Sequence, residues 1–148
     1  MLRRSISLVL TISLSHFAHS SDIDDVSACA GVIAGDAYVD LSIGINEDLF
    51  DDTLTYALSL QLAVLDGASD EDRVFSDRAF ASNMDKMVGL LNAEAYDADA
   101  MQEVITCYRI LAPMSRKYLL QLMRTREVLE QIAPQKIALV RRMLKAGA

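Results

Sequence analysis

Apolar residues recur at three- and four-residue intervals along most of this chain, which is the spacing of one face of an α-helix. The first predicted helix begins at Ser21 or Asp22, with acidic residues in its first turn, and runs to about Leu41. The second spans about 48–65 and ends before Gly67. Both stretches therefore predict amphipathic or buried helices.

Two further helices are marked by residues that favour helix starts. Ser69 is followed three residues later by Asp72, which is the spacing of a capping box, and the helix after it ends near Asn92. Asp97 or Asp99 begins the fourth helix. Its predicted apolar face consists of Met101, Val104, Ile105, Tyr108 and Leu111.

Two prolines divide the last third of the chain. Pro113 is predicted to stop or kink the fourth helix, because proline lacks an N–H and clashes with the preceding turn. A fifth helix then restarts at Ser115 and runs to about Ala133, and Pro134 breaks it before a last amphipathic segment. We expect the fifth helix to pack on the body through Leu119, Leu122, Met123, Leu129 and Ile132. The pattern predicts an all-α fold, a compact bundle of five or six helices.

Two glycines lie one turn apart inside the first predicted helix, at Gly31 and Gly35. Each costs about 1 kcal/mol relative to alanine in a helix interior. We expect a close contact between two helices to compensate for that cost.

The first twenty residues have the composition of a secretory signal peptide. Arg3 and Arg4 provide a positive start, an apolar run covers 6–14, and Ala18 and Ser20 are small residues where a signal peptidase reads. The apolar run is shorter than the roughly 20 residues that cross a bilayer. An ordinary N-terminal helix is the alternative. We expect cleavage after the twentieth residue, and therefore a periplasmic or secreted protein.

The expected mature domain, 21–148, contains two cysteines, Cys29 and Cys107, which are 78 positions apart. An oxidising compartment would pair them, so we predict one disulfide that closes the bundle. The alternative is two buried free thiols, since cysteine is also used as a small apolar core residue.

Charge is unevenly distributed along the expected mature chain. Residues 21–112 include 19 acidic and 4 basic side chains, whereas 113–148 include 2 acidic and 8 basic ones. The basic segment can dock on the acidic body or bind an anionic partner, either another envelope protein or a membrane surface. The candidate contacts for such a partner are Arg141, Arg142 and Lys145. So acidic a body is not expected to bind nucleic acid.

The histidines restrict the chemistry that the mature chain can carry. Both of them, His16 and His19, lie in the predicted signal peptide. Triads with a histidine base and histidine-ligated metal or haem sites are then excluded. The two cysteines do not have the C-x-x-C spacing of redox or zinc motifs. We expect no catalytic, cofactor-binding or metal-binding residues.

Carboxylates are nevertheless plentiful, and some are spaced like calcium-loop ligands. Asp66, Asp70 and Asp72 are one such set, and Asp97 with Asp99 is another. Neither set has the glycine at the sixth position or the glutamate at the twelfth position of a calcium loop. Helix caps and solvated helix faces are the simpler interpretation. A small hydrolase or lyase that uses carboxylates without histidine is the alternative function.

One long-range cysteine pair, a helical pattern throughout and no histidine after the leader give the chain a recognisable organisation. In this organisation it is similar to the small acid-stress chaperones of the bacterial periplasm. The resemblance rests on no residue motif, so it assigns no site residues. It implies a chaperone-like or binding role. We therefore expect an exported, non-catalytic helical module that interacts with a protein or with the envelope.

Overall fold

A computed structural model of the chain describes residues 5–42, 44, 47–125, 127–128, 131, 134 and 138. Within these ranges, side chains are described from Ser21 onward, except at positions 40, 41 and 47. The long helices are α1 (Ser5–Ser42), α2 (Glu47–Val64), α3 (Asp70–Asn92) and α4 (Ala98–Lys117), and a short α5 covers 119–125. The described residues contain no strand. Within these residues the predicted all-α fold is confirmed, with five helices packed together.

Helix α1 lies at the centre of the bundle and contacts α2, α3 and α4. Its buried apolar residues cover more than half of its circumference: Ile23, Val26, Cys29, Ala30, Val32, Ile33, Ala34, Ala37 and Val39. The buried Ser27, Gly31 and Gly35 lie on the remaining side. A helix that is buried on every side needs protein around it. The other long helices therefore surround α1, and each of them buries apolar side chains against it.

The start of α1 differs from the prediction. The helix does not begin at Ser21 or Asp22 but extends back to Ser5. No glycine or proline interrupts residues 5–20, so nothing in that segment ends the helix. Asp22 is not a cap, because it lies within the helix and is only 7 % exposed.

Helices α1 and α3 approach each other closely at the two glycines. A Cβ atom on Gly31 would overlap the carbonyl oxygen of Phe80, and one on Gly35 would lie 2.5 Å from Cβ of Met87. Residue numbers rise together along both helices, so α1 and α3 run parallel. The expected close contact at Gly31 and Gly35 is confirmed.

The predicted starts of α3 and α4 are confirmed by their capping hydrogen bonds. The Ser69 hydroxyl accepts from the Asp72 N–H at 3.1 Å, and the Asp72 carboxylate accepts from the Ser69 N–H at 3.2 Å. The Asp97 carboxylate accepts from the N–H groups of Asp99 at 3.0 Å and Ala100 at 3.2 Å. Both caps satisfy N–H groups that have no partner within their helix.

Pro113 does not end α4, so the first of its two predicted effects, a stop, is wrong. The proline is exposed and lies inside the helix, which continues to Lys117. The N–H of Tyr118 then donates to the carbonyl of Met114 at 2.9 Å, and the N–H of Leu122 to that of Tyr118 at 2.8 Å. These bonds have the α-helical spacing of four residues. The helical path therefore runs from α4 into α5 without a restart at Ser115.

The buried face of α4 is also rotated relative to the prediction. The residues that are buried are Ala100, Val104, Cys107 and Leu111. Three residues of the predicted face are exposed, namely Met101, Ile105 and Tyr108. The reason is that Cys107 faces Cys29 of α1. The residues that follow each buried position, such as Ile105 and Tyr108, therefore face solvent.

The buried side of α5 is also different from the predicted one. Tyr118 is buried and Leu122 is half-buried against the core, whereas Leu119 and Met123 are exposed. Leu129 and Ile132, the other predicted contacts, lie outside the described residues. Pro134 is helical and exposed, and the residues on either side of the predicted break there are outside the described ranges.

Candidate functional site

The two cysteines are brought together in the middle of the bundle. Cys29 in α1 and Cys107 in α4 lie at disulfide distance, with Cα atoms 4.9 Å apart, and both are buried. The prediction that Cys29 and Cys107 lie close enough for a disulfide is therefore confirmed. Closing a loop of this length removes entropy from the unfolded chain, a contribution of about 4–5 kcal/mol in the chain-entropy model. The pair is typical of an oxidising compartment.

A second cluster of polar side chains joins α1 to the C-terminal end of α4. The Asp22 carboxylate in α1 accepts hydrogen bonds from the Lys117 ammonium and from the Tyr118 hydroxyl at the end of α4. The same ammonium lies 5.6 Å from the centroid of the Tyr118 ring, within cation–π range. The buried carboxylate is thus paired with a cation and a hydroxyl, as a buried charge requires.

This cluster holds α1 and α4 together, and its chemistry favours a structural role. Burial raises the pKa of Tyr118, and so do the hydrogen bond to Asp22 and the negative charge of that carboxylate. Tyr118 therefore stays a hydrogen-bond donor at neutral pH and is a poor general base. Asp22 was expected only as a possible first residue of a helix, and no feature of the sequence marks Tyr118.

A third polar cluster lies wholly inside the bundle, where α1, α2 and α3 meet. The Ser27 and Ser76 hydroxyls are 2.6 Å apart, and the Gln61 amide donates to the Ser76 hydroxyl at 2.9 Å. All three side chains are buried. They are neutral and satisfy one another, so they lack the base that would activate a serine nucleophile. Their arrangement fixes how three helices pack.

The carboxylates considered as calcium ligands are not gathered around an ion site. Asp72 and Asp97 form the helix caps described above, and Asp66 and Asp70 are exposed. Among the residues that the structure describes, no group of three or more His, Cys, Asp or Glu side chains is placed to hold a metal ion. Asp22 is the one buried carboxylate among the described side chains.

The most exposed apolar residues lie where α4 passes into α5. Leu119, Leu120 and Met123 are 57 %, 67 % and 67 % exposed. Basic residues flank them in the sequence, with Arg116 and Lys117 before them and Arg124 after them, and all three are exposed. Exposed neighbouring apolar side chains on a folded domain are typical of a surface that contacts a partner. The candidate contacts predicted farther along the chain, Arg141, Arg142 and Lys145, lie outside the described residues.

Comparison with protein-family models, curated proteins and solved structures finds no match to the chain. Across the described part of the chain, no helix combines the length and apolar character needed to cross a membrane.

Proposed function

We propose that this protein is an exported, non-catalytic helical module that binds an anionic surface of the cell envelope through its basic C-terminal part, 113–148. The observation that carries the proposal is the sign of the charges around the exposed apolar residues. Between Val104 and Thr125 the chain has four basic residues and no acidic one. Apolar side chains surrounded by basic ones favour a partner that is both negatively charged and apolar.

The surface of α2, α3 and the turn between them is acidic on balance, although α3 also exposes Arg73, Arg78 and Lys86. The exposed acidic residues of α2, α3 and the turn between them are Asp48, Asp52, Asp66, Asp70, Glu71, Asp77 and Asp85. A molecule with one basic and one acidic side is oriented by an anionic surface before it makes contact. This polarity supports binding through α4, α5 and the residues that follow them.

Export is supported by two separate features. The first twenty residues have a signal-peptide pattern, and the cysteine pair suits an oxidising compartment. Mass spectrometry of the protein exported from a bacterial host should find Ser21 as the first residue. Recovery of a cytoplasmic form that still begins at Met1 contradicts export.

The binding proposal is tested by cell fractionation. After osmotic lysis at low salt, the full-length protein should sediment with the envelope, and about 0.5 M salt should release it, because salt screens exposed charges. A chain that ends at Ala133 lacks Arg141, Arg142 and Lys145 and should sediment less. If the full-length protein stays in the soluble fraction at low salt, the proposal is wrong.

The alternative function, a small hydrolase or lyase that depends on carboxylates, needs two or three acidic groups close together in a pocket. Asp22 is buried, but Lys117 and Tyr118 already bind it. No described side chain brings a second buried carboxylate to it. The observations therefore favour the binding function.

A further inference from the structure

We infer that the anionic partner is a lipid bilayer and that α4 and α5 lie flat on it, with an exposed face of α4 inserted among the lipids. This inference rests on the proposed function and extends the contact well upstream of the basic C-terminal part. It makes residues near Met101 part of the binding surface.

The contact surface is a single stripe along α4 and α5, which we call the lipid face. Its apolar members are all exposed: Met101, Ile105, Tyr108, Ala112, Leu119, Leu120 and Met123. At 3.6 residues per turn they lie within about 120° around the helix. The hydrogen bonds on both sides of Tyr118 keep the helical path continuous, so the stripe is not interrupted there.

The charges on α4 are sorted relative to this face. Arg109 and Arg116 fall within its arc and Arg124 flanks it, whereas Lys117 lies farther round the helix, where its ammonium binds Asp22 of α1. The two acidic residues of the helix, Asp99 and Glu103, both lie outside this arc, and Glu103 pairs with Lys86 of α3.

The dimensions of the lipid face favour a bilayer over an acidic protein. From Met101 to Met123 the stripe is about 33 Å long, at 1.5 Å per residue. A bilayer with anionic headgroups offers negative charge and an apolar layer along that whole length without a defined register. Amphipathic helices of this kind lie in the interface with their apolar side about 5–10 Å deep. Arginine side chains near the apolar residues reach the headgroups through their long aliphatic stems.

Tryptophan reporters test the inference, because the chain has no tryptophan of its own. Ile105→Trp probes the upstream part of the lipid face and Leu120→Trp the downstream part. Phe75→Trp in α3 is the matched control, since Phe75 is 49 % exposed and lies on another helix, outside the lipid face. The mature proteins, which begin at Ser21, are mixed with vesicles of phosphatidylcholine, alone or with phosphatidylglycerol, and with poly-glutamate as an acidic polypeptide.

With anionic vesicles, emission from Ile105→Trp and Leu120→Trp should shift to shorter wavelength and be quenched by brominated lipids, while Phe75→Trp should not change. A response of Leu120→Trp alone overturns the inference but leaves envelope binding through the C-terminal part intact. A response of Phe75→Trp as well, or no response to vesicles by any variant, also overturns it. An equal emission shift with poly-glutamate and with anionic vesicles also overturns the inference, because it identifies an acidic protein as the partner.

Binding strength gives a second readout. The double variant Met101→Gln/Ile105→Gln should lower partitioning into anionic vesicles about tenfold, because two half-exposed apolar side chains no longer enter the lipid. The control Val74→Gln/Phe75→Gln in α3 should leave partitioning unchanged. Equal partitioning of both double variants with the wild type contradicts insertion of α4.

Discussion

Replacing Gly31 with alanine tests the closest contact in the bundle. The added methyl would overlap the Phe80 carbonyl oxygen and lie 3.0 Å from Cβ of Asn83. The carbonyl belongs to the α3 backbone, so the overlap is relieved only if α1 and α3 move apart. Overpacking costs about 1–3 kcal/mol or more, against about 1 kcal/mol gained from the helix propensity of alanine. Because backbone has to move, we expect the free energy of unfolding to fall by about 2 kcal/mol.

Urea denaturation followed by circular dichroism, with the disulfide intact, measures this change. For an m-value of about 1–3 kcal/mol per molar urea, the midpoint should fall by about 1 M. Gly89→Ala is the matched control, because a Cβ there has nothing within 4 Å, and its midpoint should rise slightly. If Gly31→Ala is as stable as Gly89→Ala, the close packing of α1 on α3 is refuted.

Three other substitutions test separate parts of the fold. Cys29→Ser should lower the free energy of unfolding by about 2–5 kcal/mol, and the wild type should react with an alkylating reagent only after reduction. Tyr118→Phe should lower it by about 1–3 kcal/mol at neutral pH, since a hydrogen bond to the buried Asp22 carboxylate is lost. Because the folded protein raises the pKa of Tyr118, its hydroxyl stabilises the fold below pH about 10 and less above it. The gap between wild type and Tyr118→Phe should therefore narrow in alkaline urea titrations, and a constant gap to pH 12 contradicts this. Ser69→Ala should lose about 1 kcal/mol with its cap, whereas Ser82→Ala, exposed on the same helix, should lose little; equal effects on the urea midpoint contradict the cap.

The features that the sequence predicted correctly depend on neighbours within one helical turn or on residue type alone. The caps at Ser69 and Asp97 are formed by hydrogen bonds to the next three residues, so their spacing was sufficient. Gly31 and Gly35 were informative because glycine inside a helix is costly unless something approaches it closely.

The rotation of α4 could not be decided from spacing, because two stripes one residue apart both have helical periodicity. The stripe with Ile105 is more apolar, yet the stripe with Val104 is the one that faces α1. The predicted Cys29–Cys107 pair contained the missing signal. A cysteine bonded to α1 places Val104 and Leu111 on the buried face and turns Ile105 outward.

The cluster around Asp22 had no local signal at all. Its partners, Lys117 and Tyr118, are 95 and 96 positions away, and an aspartate in the first turn of a helix is ordinarily an exposed cap. The prediction of a break at Pro113 also obscured it, because that break detached Tyr118 from α4. Only the three-dimensional arrangement shows that these residues meet.

The central position of α1 also determines how the backbone exchanges its amide hydrogens. The amides near Ile33, which is fully buried, are covered by helices on several sides and reach water only when the bundle separates as a whole. The amides of α5 lie in a segment with three exposed apolar side chains and open by local fraying. Exchange near Ile33 therefore reports the global free energy of unfolding, and exchange in α5 reports the much smaller free energy of detaching that helix.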